Sequence, residues 1–559
     1  MNNILVINLA RLGDIVQSIP MLENLKQRYP DTSLSLLLNR NFEQVCPLVP
    51  HVDEFITLDF MKIRNCMISE SSNIEETYAY LKYFYRDLKD KQYKKIINIT
   101  PHYIGIYSAL LAGESSMPEA VPSAWANYYL NITRHWKTLP FHVADLFTKI
   151  AGLCPRKVRP QLSVDEAARN AANAFLRTRG LADNDILIGL NPGASTPEKQ
   201  WPVEYFEALA KEILSRSSAR IILYGTKAEA AHGEYLESRL SGKMVINAIG
   251  KTTVAELAAL MVRTKILVTN DTGSMHVAAA CGTRIISLHM GKEKCISTGP
   301  YGEGHIALQP RLACHPCEKP EQCRTFECRK LISPQLVFYV VDGLLKNTEA
   351  YDKTPVEFQL KKAEVFVSKY DMEGFVNFYP FWKCELSLST LCTEFLRLMW
   401  NLLLSDETAR DEPEAATGVL MDTLIVNIKR YYYITEINGV YAAWLGIDRY
   451  LAALISYAQE GINFAEAIEK AGMNPLGNLK DLKSLTQKIE ALDYRIISYG
   501  ETVHDFATLT HMFCFEKEKL DGKEISEMAR NTEIIYRKLQ TRARVLKIMG
   551  NQFFEKINY

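Results

Sequence analysis

Val268–Gly282 reads VTNDTGSMHVAAACG. The stretch leaves an apolar run, passes an acid, a hydroxyl and a glycine, and continues as a helical pattern with a histidine about one turn further on. A strand that gives way to a helix across Asp271-Thr272-Gly273 leaves the first backbone N–H groups of that helix without intrahelical acceptors. Those donors, together with the helix dipole, make such a turn a phosphate site. The same residues also suit a plain capped turn with His276 aimed at the core. Taken alone, the stretch supports both readings.

The pattern around it repeats. Ile186–Asn191, Arg220–Tyr224, Val245–Ala248, Lys265–Thr269 and Arg284–Leu288 are strand candidates, with helical runs such as TVAELAALMV between them. Upstream, Asn3–Asn8, Ser33–Leu38, Glu54–Leu58 and Lys95–Ile99 are strand candidates. Helices are expected over Asp14–Tyr29, bent or interrupted at Pro20, and over Glu75–Lys89. Strands that alternate with helices form parallel sheets covered on both faces. The expected fold class is α/β: two Rossmann-like domains facing a cleft, residues 1–155 and 156–349, then a mainly α-helical extension over 350–559. Val356–Leu386 reads as an extended stretch ahead of long helical runs such as VYAAWLGIDRYLAALISYAQ. Ligands of doubly wound sheets bind beyond the carboxyl ends of the strands.

Composition sets outer bounds. A chain of 559 residues is expected to form two or three compact units. Its 47 % apolar and 23 % charged residues are typical of a soluble globular protein. Lysine plus arginine, at 65, equals aspartate plus glutamate, which gives no support to general nucleic-acid binding. MNNILVINLARLGD carries no cationic leader and no small-residue cleavage site, and no run is long enough to span a bilayer. A cytoplasmic protein is expected, with docking at the inner membrane surface as a variant of that reading.

Four strand-end stretches could carry chemistry. In NLARLGDIVQSIP, Gly13 permits a sharp turn and Asp14 opens the next helix. Asp14 is then either an N-cap or a general base directed at a hydroxyl, kept ionised by the helix N-terminus. In LNPGASTPEKQWPVEYF, Lys199 lies beside a strand-end loop, either as a solvated lysine or as a phosphate ligand. In LYGTKAEAAHGEYL, Glu229 either complements a helix dipole or accepts hydrogen bonds from a ribose. The fourth is the Asp271–His276 turn.

In this order the four stretches resemble glycosyltransferase family 9, the bacterial heptosyltransferases of the GT-B fold. RLGDIVQSIP, NPGAS with KQWP, the Gly225…Glu229 segment, NDTGSMHVAAACG and GPYG at Gly299–Gly302 carry the resemblance. SALLAG at Ser108–Gly113 and HVADLF at His142–Phe147 are weaker likenesses. The resemblance covers about residues 1–345 and implies an inverting transfer of a sugar from a nucleotide-sugar donor, typically ADP-heptose. By motif matching, Asp14 is the base that deprotonates the acceptor hydroxyl. Lys199 holds the donor phosphates, Glu229 contacts the nucleoside, and Asp271, Thr272, Gly273 and His276 form the loop at the diphosphate. The implied acceptor is a lipid-linked glycan of the lipopolysaccharide core, or a surface protein. Lysine and helix amides can stabilise a departing diphosphate without a divalent metal. No Asp-x-Asp motif occurs in these loops, so no catalytic metal is expected.

The chain departs from the family pattern in three places. His289-Met290-Gly291 stands where an aromatic–Gly pair is usual, residues 60–74 and 114–140 match no recognised motif, and the chain continues past residue 350. No catalytic motif marks the extension, which is expected to recognise an acceptor protein or to assemble a homo-oligomer; RYYYITE (Arg430–Glu436) reads as packing, and His504 and His511 as isolated. A nucleotide-sugar epimerase of similar architecture and a nucleotide-binding scaffold without transfer activity are the alternative functions.

Cys314, Cys317, Cys323 and Cys328 fall within CHPCEKPEQCRTFEC. Four thiols at this density fit a tetrahedral structural site for zinc or iron; free thiols and redox pairing are the other readings. The resemblance adds that similar clusters occur in family 9 and that in the related autotransporter heptosyltransferases cysteines hold iron. The remaining eight cysteines read as core or surface residues.

Overall fold

The computed structural model describes residues 3–68, 74–113, 123–133, 135–240, 244–346, 356–405, 413–473 and 478–557. Parts of the unmatched segments 60–74 and 114–140, and the expected boundary at 349/350, lie outside these residues. The chain divides into two compact units, 1–127 with 141–382, and 128–140 with 383–559.

The first unit holds two sheets. Strands β1 (Asn3–Asn8), β2 (Ser33–Asn39), β3 (Glu54–Leu58) and β4 (Lys95–Asn98) form a parallel sheet of order β3-β2-β1-β4. The second sheet contains β5 (Leu187–Asn191), β6 (Arg220–Leu223), β7 (Val245–Asn247), β8 (Ile266–Asn270), β9 (Arg284–Leu288) and β10 (Ile306–Pro310). Its parallel part runs β10-β9-β8-β5-β6-β7, the doubly wound order whose direction reverses between β5 and β8. Every residue of β5 and β8 is buried, as central strands covered on both faces require.

Val356–Leu386 is extended in part, as its sequence reads, and the break expected in the Asp14–Tyr29 run falls at Ser18, two residues before Pro20. Val356–Leu386 contributes two strands to this sheet: β11 (Ala363–Tyr370) pairs antiparallel with β10, and β12 (Val376–Pro380) antiparallel with β11. The Asp14–Tyr29 run is two helices, Leu12–Gln17 and Ile19–Arg28, parted at Ser18. Pro20 sits in the first turn of the second helix, where a missing N–H costs no hydrogen bond.

The second unit is a helical assembly with long helices Ile437–Gly472 and Ile525–Lys556 among its members. Gly550 lets these two approach, since a Cβ there would lie 1.8 Å from the Trp444 ring. Arg542 donates to both carboxylate oxygens of Glu516, at 2.9 and 2.8 Å, while its guanidinium covers the Trp400 ring. Within the aromatic run at 430–436, Tyr432 is buried and its short strand pairs with Cys384–Glu385. His511, isolated in sequence, stacks on His135 with ring centroids 3.6 Å apart. Among the described residues no helix is long and apolar enough to cross a membrane.

Candidate functional site at the strand ends

Where the second sheet reverses order, the loops after β5 and β8 leave the same edge side by side, with Asn191 in register with Thr269. Two buried asparagines join them. Asn191 Nδ2 donates to Thr272 Oγ1 at 3.1 Å and to Ser274 Oγ at 2.8 Å. Asn270 Nδ2 donates to the carbonyls of Pro192 and Gly193, each at 3.0 Å, and its Oδ1 accepts the Trp201 amide at 3.0 Å. Thr272 is the N-cap of the helix Gly273–Ala280, whose first-turn amides face the same edge. Neither asparagine stood out in the sequence, since each reads there as an ordinary strand-end residue.

Lys199 reaches into this edge and is held by two carboxylates. Its Nζ lies 2.8 Å from Asp271 Oδ2 and 2.8 Å from Glu293 Oε2. Burial works to lower the lysine's pKa, but Asp271 and then Glu293 outweigh it and hold the ammonium above its ordinary value. Asp271 is the reciprocal case: burial would raise its pKa, and Lys199 overcomes that and holds the carboxyl below the usual range. In this geometry Asp271 aims the lysine. Glu293 was not singled out by the sequence, because Gly291-Lys292-Glu293-Lys294 reads as a solvated charged loop.

Glu229 closes the site on the side of β6. It is the last residue of a short turn capped by Thr226, and its Oε2 accepts the Thr226 amide at 2.6 Å and hydroxyl at 3.0 Å. The carboxylate lies directly against Gly193, where a Cβ would meet Glu229 Oε1 at 1.7 Å. Gly193 is therefore required by close approach between two of the four strand-end loops.

Asp14 is not the N-cap of its helix. Arg11 holds that position, and Asp14 sits on the third helical residue with Oδ2 accepting the Arg11 amide at 3.0 Å. The helix end was expected to keep Asp14 ionised and only weakly basic. The balance runs the other way: burial pushes its carboxyl above the ordinary value, with the nearby Asp271 charge adding to it, against smaller opposing contributions from Arg11. The helix carrying Asp14 packs on the helix carrying His276, and the contact is tight. A Cβ on Gly13 would lie 2.8 Å from His276 Cδ2 and 3.4 Å from Gly273 Cα. This meeting of two helix starts brings Asp14 to the Asp271–His276 turn.

His276 and His289 are buried, and burial lowers both to about 4, so both are neutral at pH 7. His289 Nε2 is 3.0 Å from Ser287 Oγ, and the Nδ1 atoms of His276 and His289 are buried without a hydrogen-bond partner. The HVADLF and GPYG likenesses clasp each other: His142 Nε2 is 2.8 Å from the Gly299 carbonyl, and the Tyr301 hydroxyl donates to Asp145 at 2.7 Å. Their role is to fix the chain after β9.

The four cysteines of 314–328 are free thiols. Among the described residues no group of three or more His, Cys, Asp or Glu side chains converges as a metal site. The thiols nevertheless sense one another: burial first, and then the other three, push Cys328 up to about 11. The loop braces the site from behind. Cys317 N–H donates to the Gly291 carbonyl at 3.1 Å, Arg329 Nε donates to the Gln200 carbonyl, and Trp201 Nε1 donates to the Ile332 carbonyl at 2.9 Å.

Residues 84–326 match the family model of glycosyltransferase family 9 (heptosyltransferase). The α/β part of this chain is similar to glycosyltransferase family 9. It is similar to lipopolysaccharide heptosyltransferase 2 of Escherichia coli (strain K12), with 27 % identity over 34 % of this chain and 55 % of that protein. The Salmonella typhimurium lipopolysaccharide heptosyltransferase 2 is 25 % identical over 62 % of this chain and 99 % of its own length. Against the E. coli relative, the chain thus spans about half the length. A solved family 9 glycosyltransferase from Veillonella parvula shares the fold, with a TM-score of 0.50 and 24 % identity over 62 % of this chain and 98 % of that one. Residues 383–559 of the helical unit fall outside the family 9 match, whereas 128–140 lie within it.

Proposed function

We propose that this chain is an inverting glycosyltransferase of family 9 that moves heptose from ADP-heptose to a hydroxyl of the lipopolysaccharide core. One observation carries the reading: a carboxylate with a raised pKa, Asp14, is packed through Gly13 and His276 onto a helix start suited to a diphosphate. In the reaction, the acceptor oxygen attacks the anomeric carbon while its proton passes to the Asp14 carboxylate. The bond from that carbon to the β-phosphate oxygen breaks, and ADP leaves with the electron pair. Charge then builds on the diphosphate, where Lys199, the Thr272 hydroxyl and the first amides of the Gly273–Ala280 helix oppose it. Glu229, beside Gly193, takes the nucleoside. A raised pKa makes Asp14 a better proton acceptor than an ordinary surface aspartate.

The same reading sets the chain in the cytoplasm, peripheral at the inner membrane, with the helical unit as the element of self-association. For the four-cysteine loop, we propose a structural site for zinc or iron. The three neighbouring cysteines add to burial in raising the Cys328 thiol, an influence that a bound cation would offset. Loading the protein with either metal and measuring the bound equivalents, beside a variant with all four cysteines replaced by serine, tests that part.

Purified protein supplied with ADP-heptose and heptose-deficient core oligosaccharide should release ADP and add one heptose to the acceptor, read by mass spectrometry. ADP release without a glycosylated product, or interconversion of the donor sugar alone, would overturn the transferase reading.

A further inference from the structure

Lys199 faces a charge conflict. Its ammonium already bridges Asp271 and Glu293, both at 2.8 Å. Beside the neutral His276 and His289, one ammonium thus faces two acidic side chains. A diphosphate brought to this lysine meets two carboxylates already in place, so at least one must give way. The two differ in how they are held. Asp271 continues a fully buried central strand, and the residue before it, Asn270, is tied to both neighbouring loops. Glu293 belongs to an irregular loop after β9, beside the exposed Lys292. Gly291 lays that loop against the lysine stem, since a Cβ there would be 2.8 Å from Lys199 Cγ.

We propose that Glu293 is a displaceable counter-ion of Lys199, which keeps the ammonium aimed and neutralised until the donor's diphosphate takes its place. This rests on the reading of Lys199 as the diphosphate ligand. Glu293 is then a positioning residue with a cost for binding: an anion must compete with a carboxylate for the lysine. A diphosphate, carrying more charge and more oxygens, competes better than a monophosphate. The latch therefore favours ADP over AMP beyond what the additional phosphate contacts supply.

ADP and AMP binding to the full chain, followed by titration calorimetry, tests this with Glu293→Gln, Glu293→Ala, Glu293→Asp and Lys199→Ala. Removing the competing charge in the Gln and Ala variants is expected to tighten AMP about fivefold and ADP by less, so the ADP/AMP ratio narrows. The Asp variant, which restores the carboxylate, should return the ratio toward wild type. Two chemically different replacements guard against one that folds poorly, and a loss of protein stability alone would weaken both ligands together. If neither the Gln nor the Ala variant tightens AMP while Lys199→Ala still weakens ADP, the counter-ion role falls and the diphosphate site stands. If Lys199→Ala leaves ADP affinity unchanged, the reading of Lys199 itself falls, and the counter-ion proposal with it.

Discussion

Asp14 and Asp271 occupy nearly the same local setting. Each follows a strand, each stands within three residues of a helix start, and a glycine beside each allows the two helices to meet. Their electrostatics are opposite. Asp271 has an ammonium at 2.8 Å, which holds its carboxyl below the ordinary range. Asp14 has backbone hydrogen bonding and a more distant arginine, and burial pushes its carboxyl up. A strand–acid–helix motif therefore does not assign a role. The balance of burial and nearby cations separates the two: under the proposed function the acid paired to Lys199 orients it, and the acid raised by burial takes the proton.

The sharpest way to break this contrast is to neutralise each acid in turn. Asp14→Asn should lower the transfer rate at saturating donor by about 10³-fold, within the range for losing a positioned base, and leave ADP affinity within about twofold. Comparable loss of ADP affinity would mean that Asp14 holds the donor. Asp271→Asn leaves Lys199 to Glu293 alone and should weaken ADP by about tenfold, read by calorimetry. An equally large fall in rate with unchanged affinity would reverse the two assignments.

Linkage gives the same contrast in stability and pH. Asp14 has a raised folded-state pKa, so its stabilising contribution is present at low pH and lost as pH rises through that value. Asp271 has a lowered one, so its contribution is present above the ordinary carboxylate range and lost as pH falls through the folded-state value. At pH 7, Asp14→Asn should therefore raise the melting midpoint by about 1–3 °C and Asp271→Asn should lower it by a similar amount. Changes of the same sign in differential scanning fluorimetry would show that the two acids are equivalent. The rate of transfer should fall as pH drops through the raised Asp14 value. Because the Asp271 charge helps to raise it, that acid limb should move to lower pH in Asp271→Asn.

A separate pH effect concerns the buried histidines of the α/β part. His142 and His305 are lowered to about 3 and His276 and His289 to about 4, with burial the leading cause in each. The unfolded chain takes up these protons near pH 6.5 and the folded chain does not, so stability falls as pH drops below 6.5. Melting midpoints measured between pH 7 and 5 should fall steadily; a flat profile would show that these rings are solvated.

Much of this was readable from residues. The strand ends, Lys199, Glu229 and the Asp271–His276 turn lie where hydrophobic runs stop at Gly, Asn and Asp, and the structure brings Lys199 to Asp271 and Glu229 to Gly193. What sequence could not give was the balance of competing influences on one group. Capping preference marks Asp14 as a helix-start residue, but its position inside the helix and its surroundings decide its proton affinity. Glu293 was hidden because a charged loop normally faces water, and its partner lies far away in sequence. Strand β10, short and ended by Pro310, went unassigned, and so did its pairing with β11, which depends on a segment beyond the expected domain boundary.

That pairing bears on how the chain can be divided. A truncation at residue 350, the domain boundary expected from the sequence, would remove β11 and β12 and leave β10 as a bare edge strand. All five residues of β10 are buried in the intact chain, and an exposed apolar edge invites pairing with other molecules. A fragment meant to hold the α/β part should therefore be cut no earlier than Pro380, and its behaviour in expression will depend more on this hairpin than on any residue of the site.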